Sequence, residues 1–594
     1  MPRTRSVTDP EPGSARHADP RPGVARRTVL AAGAAVSASV GTGYALRPTD
    51  SQAAPAPAAS PGRRPAVPAA RPAAPLAPYT RGTTLASVAT APAGPAYRRL
   101  GSGPGWKRVV RDEPAAARTG RAGRRTTLAA FVQLTDLHVT DAQHPLRLEF
   151  LRTALPHAWR PHEALTVHGA IALVERVNAL RAGPVTGSPL RFVVTTGDNT
   201  DNNARNELDW YLTVLSGGRV TPNSGDLRHY EGALSSGLNL YWQPDSAARD
   251  AYKQRGFPHL PGFLTAATRE VRSPGLRLPW YSTVGNHDSI LTGCFGHGDS
   301  HLTEFATGAR KLFTVTPAEA RRLQQAINDG SDPKGLGLRD LLKAHARDLR
   351  PVTPDERRAF YTPEEHVRAH LDPARTGPGP VGHGYTAANL AEGTQYYTFR
   401  VSDDVLGISL DTTDAYGTFS GSVGEAQMRW LERTLTAHRD EYVLVFSHYT
   451  SRSMPPAQKD PARPDERRYS GADLLDLLGR HRNVVAWING HEHRNRITAH
   501  TGGAHPFWEV STASHIEFPQ LARVIELTDN RDGTLSLHTT LVESAAPHRT
   551  DHADLGQTGL AALYRELSFN ANEGSVKLLG DPGDRNTELL LPKG

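Results

Sequence analysis

The sequence predicts an α/β fold. Five apolar, β-branched runs of strand length lie between residues 128 and 488, and each runs straight into a cluster of Asp, Asn and His. Segments of helical period separate several of them, and α/β sheets gather their ligand sites at the carboxyl ends of strands, where all five clusters fall.

The first run, 128–134, ends in Thr135-Asp136-Leu137-His138. Ala170, Ile171, Val174, Val177 and Leu180 then recur at helical spacing, before run 192–196 meets Gly197-Asp198-Asn199. Run 280–284 leads into Gly285-Asn286-His287-Asp288. Met428, Leu431 and Leu435 mark a helix ahead of run 442–446, which ends in Ser447-His448. Leu474, Leu477 and Leu478 mark a short one ahead of run 484–488, which ends in Asn489-Gly490-His491-Glu492-His493. Run 405–410, closed by Asp411, and segment 507–512 read as further strands.

Two spacings exceed what a strand-helix-strand connection needs: 88 positions from Asp198 to Asn286 and 162 from Asn286 to His448. Insertions are expected at about 205–275 and 295–395. The second holds Thr316-Pro317-Ala318-Glu319, Thr353-Pro354-Asp355-Glu356 and Thr362-Pro363-Glu364-Glu365, three capping boxes with Pro at the first helical position, so it reads as a helical cap. Both insertions leave from strand ends that carry candidate ligands and can shape access to them. Trp210-Tyr211 and Tyr241-Trp242 in the first read as buried packing ahead of pocket lining.

The net charge of +7 is unevenly placed. Residues 1–125 hold 20 basic and 6 acidic side chains, a net +14, which leaves −7 on residues 126–594. An acidic body does not attract polyanions by its overall field, so no nucleic-acid partner is expected. Within the head, Arg26-Arg27 precedes a charge-free stretch, 28–46, that looks like a twin-arginine export signal over 1–52 and implies the export machinery as a partner and an extracellular or envelope location. The other reading, a membrane anchor, suits poorly a stretch interrupted by Gly33, Ser37, Ser39, Gly41 and Gly43, and no stable anchor is expected. Residues 53–125 read as an Ala/Pro/Arg-rich linker and lead-in, and 546–594 as a C-terminal extension of unread role.

Cys294 is the only cysteine, which excludes an intrachain disulfide and a thiolate zinc site, so any metal would take N and O ligands. Neither a P-loop nor an HExxH or Gly-x-Ser-x-Gly motif is present. Singly, each polar cluster reads as an ordinary turn, and His448 as a hydrogen-bonded buried histidine; the ordered set of five is what makes a site.

That order, Asp-x-His, Gly-Asp, Gly-Asn-His-Asp, His, Gly-His-x-His, resembles the calcineurin-like binuclear metallophosphoesterases over about 127–525. The resemblance implies a four-layer sandwich of two β-sheets flanked by helices, occupying 126–545 here, with two divalent metals bridged by one aspartate. It assigns Asp136, His138, Asp198 and His493 to one metal and Asp198, Asn286, His448 and His491 to the other. It further implies attack on phosphorus by a metal-bound hydroxide, protonation of the leaving alkoxide by His287, and Asp288 as the carboxylate orienting that ring; a purely structural His287 is the alternative. A short carboxylate on a Gly-preceded turn, such as Asp198, can approach two cations, and carboxylate, amide and imidazole ligands without thiolate suit Mn, Fe, Co or Zn. Glu492 is expected to point away.

Protein phosphatases of this family carry Gly-Asp-x-x-Asp-Arg-Gly, whereas this chain reads Gly197-Asp198-Asn199-Thr200-Asp201-Asn202-Asn203, without the phosphate-gripping Arg. The expectation is therefore an exported hydrolase of a small phosphoester, with phosphodiesters ahead. A phosphomonoesterase, nucleotidase or acid phosphatase-like, and a binding protein without turnover stay open. Asp141, Asp201 and Asn202 read as closers of Asx turns and Asp411 as a structural or supporting position.

Overall fold

The strands that carry the polar clusters are apolar on both faces because each face meets a different layer. The structure, a computed structural model, describes residues 77–94, 96–295, 300–332, 334–414, 419–456, 465–571 and 575–594. Along strand Thr126–Leu134, Ala130, Val132 and Leu134 pack with Ile171 and Val174 of helix Thr166–Ala179. Ala129 and Phe131 turn the other way and meet Leu444, Phe446 and Ile488 of a second sheet. In that second sheet Val443 and Val445 pack with Leu431 and Leu435 of helix Glu425–Ala437 and Leu474 of helix Gly471–Gly479. The period-two pattern thus builds four layers, helix, sheet, sheet and helix, around one buried sheet-to-sheet interface.

The seven-stranded sheet runs, edge to edge, Val109–Arg111, Thr587–Pro592, Thr534–Glu543, Leu521–Asp529, Thr126–Leu134, Val193–Thr196 and Trp280–Thr283. The six-stranded sheet runs Tyr397–Ser402, Val405–Ser409, Tyr442–Phe446, Val484–Asn489, Phe507–Ser511 and Arg496–His500. The last three strands of the first sheet are parallel, as are the four from Val405–Ser409 to Phe507–Ser511 in the second. Their carboxyl ends meet at one rim. His448 Nδ1 lies 2.9 Å from the Thr196 carbonyl, Gln133 Nε2 donates to the Asn489 carbonyl at 2.9 Å, and the Thr283 and Ser409 hydroxyls pair at 2.9 Å, so polar bonds stitch the two sheets together there.

The insertions fold. Segment 205–275 contributes helix Arg205–Ser216 and a strand pair, Gly218–Val220 with Val271–Ser273. Its Tyr241 and Trp242 are fully buried beside Trp159, Phe257 and Phe263. Within 295–395 lie helices Ser300–Thr307, Pro317–Asn328, Leu336–Ala344, Pro363–His370 and Ala387–Glu392. Capping boxes close at Thr316 with Glu319 and at Thr362 with Glu365. The third does not form: Glu231 takes the Thr353 N–H and hydroxyl, and only a short 3-10 turn, Glu356–Arg358, follows, capped by Asp355.

Residues 1–76, holding the export signal and the first part of the expected linker, lie outside the described residues. From residue 77 the expected linker gives way to folded chain, since Val109–Arg111 is a strand of the main sheet. The C-terminal extension is equally part of the body. Thr587–Pro592 lies between Thr534–Glu543 and Val109–Arg111, and helix Gln557–Ala571 sets Ala561 and Ala562 against Ala172 of helix Thr166–Ala179. Among the described residues no helix is long and apolar enough to cross a membrane.

Ending the chain at residue 585 removes Thr587–Pro592 and bares the inner edge of Thr534–Glu543, an exposed strand edge that templates association. The truncated protein is expected to aggregate on expression; a soluble monomer with the full-length melting temperature in a scanning-fluorescence melt contradicts the placement.

Candidate metal centre

The site is assembled from turns that follow the parallel strands. Five of the seven candidate ligands adopt left-handed backbone: Asp136 (φ 51°), His138 (44°), Asp198 (50°), His491 (65°) and His493 (53°). Each such residue costs about 1–3 kcal/mol and persists only where its surroundings over-determine it. Glycines let those turns close on the carboxylates. A Cβ on Gly285 would stand 2.3 Å from the Asp198 backbone N and Oδ1, and one on Gly490 would stand 2.4 Å from Asp136 Oδ2.

The side chains bring lone pairs, not donors, to one place. The His448 Nδ1–H is directed to the Thr196 carbonyl, which leaves Nε2 as an acceptor 3.0 Å from Asn286 Oδ1, 3.3 Å from Asp198 Oδ2 and 3.2 Å from His491 Nδ1. Asn286 donates its Nδ2 to the Thr292 carbonyl at 3.1 Å, and this bond turns Oδ1 inward. On the other side His138 Nε2 lies 3.4 Å from Asp198 Oδ2 and 3.3 Å from His493 Nε2, and His493 Nε2 lies 3.3 Å from Asp136 Oδ1. Two donor sets result, Asp136–His138–Asp198–His493 and Asp198–His448–His491, with Asn286 joining the second, and they share Asp198. Acceptors facing acceptors are repulsive until a cation sits between them, and carboxylate oxygen, amide oxygen and imidazole nitrogen at these separations fit two divalent ions. All seven sequence-expected ligands are thus brought together.

Without cations, protons fill part of that role. Burial lowers the pKa of all four imidazoles. The negative charge of Asp198 outweighs it at His448, held up at about 9, and that of Glu517 with Asp136 outweighs it at His493, held up at about 10. Burial prevails at His138 and His491, which fall to about 4 and about 3.

Behind the ligands runs a closed ring of alternating charge. His138 Nδ1 pairs with Asp201 Oδ1 (2.9 Å), Asp201 with Arg147, Arg147 with Glu163 (2.7 Å), Glu163 with Arg160 (3.5 Å), Arg160 with Glu517 (2.7 Å), and Glu517 with His493 Nδ1 (3.1 Å). It returns to its start where the two imidazole Nε2 atoms face each other across the first donor set. A carboxylate on the outer nitrogen fixes a ligating imidazole's tautomer and direction, and here both carboxylates are themselves held by arginine. Removing one member of such a buried network costs about 3–5 kcal/mol because it strands the others.

The structure departs from the sequence expectation at Asp288. Its carboxylate does not orient His287; it accepts from the Gly285 N–H (2.9 Å), the Asn199 and Thr200 N–H groups (3.2 and 3.0 Å) and the Tyr361 hydroxyl (3.2 Å). Asp288 thereby ties the Asn286 turn to the Asp198 turn. The orienting role falls to Asp201, whose carbonyl lies 2.9 Å from His287 Nδ1 and whose carboxylate lies 3.5 Å from it. The backbone N–H of His287 also donates to Asp198 Oδ1 at 2.8 Å, and burial, which lowers the pKa of the His287 ring, is outweighed by Asp198 and Asp201, which raise it. Glu492 turns away, to the Thr450 hydroxyl and Arg496. Asp201 carried a sequence signal, the second Asp of Gly-Asp-x-x-Asp; Glu517, Arg147, Arg160 and Glu163 carried none.

Two cavities open beside the donor sets. One, of about 510 Å³, is lined by Asp198, Asn286 and His287 and by leucines of the 146–155 segment with Ile327. The second, of about 420 Å³, is bounded by Glu492, Glu517, Phe518 and Ser568, and both share His157, Arg160, His491 and His493.

Cation binding must displace the protons on His448 and His493, so affinity rises with pH across the neutral range, with up to about two protons released per chain. Calorimetric titration with Mn²⁺ at pH 6, 7 and 8 is expected to show this climb and a heat that depends on buffer ionisation. A pH-independent affinity contradicts it.

No protein-family model matches the chain. Over 101 residues, 16% of this chain, it is 31% identical to a manganese-dependent ADP-ribose/CDP-alcohol diphosphatase from Danio rerio, of which that segment is 30%. Over 89 residues it is 32% identical to the Xenopus tropicalis protein of the same name, covering 15% of this chain and 24% of that one. The chain therefore spans less than a third of the length of these curated relatives. A crystal structure of a dimetal phosphatase from Danio rerio aligns at a TM-score of 0.31 and 12% identity over 70% of this chain and all of that one. A purple acid phosphatase from yellow lupin seeds aligns at 0.25 and 9%, over 74% and 53%. In its motif order, its paired sheets and its shared-aspartate donor cluster, the chain resembles the calcineurin-like binuclear metallophosphoesterases.

Proposed function

We propose that this protein is a metal-dependent phosphoester hydrolase acting on small phosphodiesters. One observation carries the reading: two lone-pair donor sets share Asp198 and open, beside His287, into a cavity large enough for an organic substrate. The names of the partial-length relatives support a phosphorus substrate and put manganese first among Mn, Fe, Zn and Co. Two divalent ions, held by Asp136, His138, Asp198 and His493 and by Asp198, Asn286, His448 and His491, would supply charge neutralisation at phosphorus and a water acidic enough to attack it.

The chain's own groups do the rest. With Nδ1 held at the Asp201 carbonyl, His287 keeps Nε2 as the atom that passes a proton to the departing alkoxide. Asp288 keeps the His287 and Asp198 turns in register. Asn202 stands where protein phosphatases of the family have arginine, which favours a substrate with one fewer phosphoryl charge, a diester.

The leaving group separates proton donation from a structural role for His287. Nitrophenolate needs no proton to depart, whereas an alkoxide does. His287→Ala is expected to cost about 10²–10⁴-fold in kcat for an alkyl leaving group and much less for bis(4-nitrophenyl) phosphate. Equal losses on both would make His287 structural. Asp198→Ala is expected to abolish turnover of both, with the nitrophenyl diester preferred over the monoester by the wild type; wild-type rates in Asp198→Ala overturn the hydrolase reading.

We also infer export by the twin-arginine route, on Arg26-Arg27 and the charge-free stretch 28–46. Replacing both arginines with lysine is expected to leave the protein in the cytoplasmic fraction. An unchanged exported fraction contradicts the inference.

A further inference from the structure

The two cavities flank the donor cluster and differ in character. The first is lined by Leu148, Leu155, Leu291, Ile327 and Phe419 as well as by polar groups such as Arg147 and Asn202, and it alone of the two is lined by His287. Ile327 lies on the buried face of cap helix Pro317–Asn328 and joins the leucines in lining this cavity, while Gln324 and Asn328 of the same helix add polar groups to it. Phe419, 42% exposed, is the one exposed large aromatic among the described residues, and it belongs to this cavity. The second cavity has fewer apolar side chains, Phe518, Ala571 and Leu578, and it carries the carboxylates Glu492 and Glu517 with Ser568. The two meet at His157 and Arg160, beside His491 and His493.

A phosphorus that cations bound by the donor cluster would hold therefore has a cavity open to each of its two substituents, and the two cavities are unlike. We propose that the substrate is a phosphodiester of two dissimilar arms, an apolar alkyl alcohol that departs into the Leu148–Ile327 cavity and a polar arm that stays with phosphorus over the Glu492–Glu517 side. This rests on the hydrolase reading and sharpens it to a substrate class. In the step, an oxygen from water bonds to phosphorus, the bond from phosphorus to the alkyl oxygen breaks, and His287 gives that oxygen its proton. One proton from the water ends in solvent, and the products are a free alcohol and a phosphomonoester of the polar arm. Because the wall contacts the leaving arm only, chain length should act through that arm and not through the retained one.

The test uses n-alkyl phosphocholines from ethyl to octyl with the metal-loaded, full-length protein. The expected result is a kcat/KM that climbs about two- to fourfold per added methylene until the cavity fills, with Leu155→Gln flattening the climb. Binding of the matching alkylphosphonocholines, whose P–C bond cannot be cleaved, should tighten at least tenfold from ethyl to octyl by calorimetry. A flat series while bis(4-nitrophenyl) phosphate is turned over overturns this inference and leaves the hydrolase reading standing. An equal climb when the alkyl chain sits on the retained arm of a nitrophenyl diester overturns the assignment of arms. Absence of turnover on every ester overturns both readings.

Discussion

Asp198 Oδ2 lies 3.4 Å from His138 Nε2 and 3.3 Å from His448 Nε2, and each imidazole is hydrogen-bonded through its other ring nitrogen. His448 is pinned by the Thr196 carbonyl at the end of one sheet while belonging to the other. His138 is pinned by Asp201. A carboxylate buried between two imidazoles needs a cation, or a proton on His448, to offset its charge, and five ligands in left-handed backbone add strain. The two-sheet core offsets this. Its interface, with Phe131 stacked on Phe192 and edge-on to Phe446, is apolar away from the hydrogen-bonded rim and holds the strand ends from which the turns project. Rigidity in the sheets is thus what permits strain in the turns, and cations relieve it.

The charge ring extends that constraint outward. Arg147, Arg160 and Glu163 belong to the segment that also supplies the apolar cavity wall, and Glu517 belongs to the loop that bounds the second cavity. The orientation of His138 and His493 therefore depends on the same segments that shape the space a substrate would enter. Glu163, pushed up to about 7 by burial against the pull of Arg147 and Arg160, is the softest member of the ring. Asp201 is its hinge, since one residue orients a candidate ligand through its carboxylate and His287 through its carbonyl.

Legibility in the sequence followed the range of the interaction. Strand identity and the alternation that yields four layers are local patterns, and residues 128–134, 192–196 and 442–446 displayed them. The candidate ligands were legible because each sits directly after such a run. Partners at long separation were not: Glu517 reaches His493 only through the fold, and Arg160 meets Glu517 from 357 positions away. In the sequence Asp201 reads as a turn residue because a short carboxylate after Gly-Asp usually closes an Asx turn, and nothing local says that its oxygen faces an imidazole. The placement of Asp288 failed for the same reason, since adjacency to His287 suggested contact while the 3-10 turn sends the carboxylate back to Asn199 and Thr200. The C-terminal strand was missed because 587–592 carries its pairing information in Thr534–Glu543 and not in itself.

The converging lone pairs suit two cations that share one carboxylate. Metal content measures it directly: the full-length protein is loaded with excess Mn²⁺, passed through a desalting column and analysed by elemental mass spectrometry alongside His448→Ala and Asp198→Ala. Two ions per chain are expected in the wild type, about one in His448→Ala, and a loss at both sites in Asp198→Ala. A single ion in the wild type, or two retained in Asp198→Ala, would contradict it.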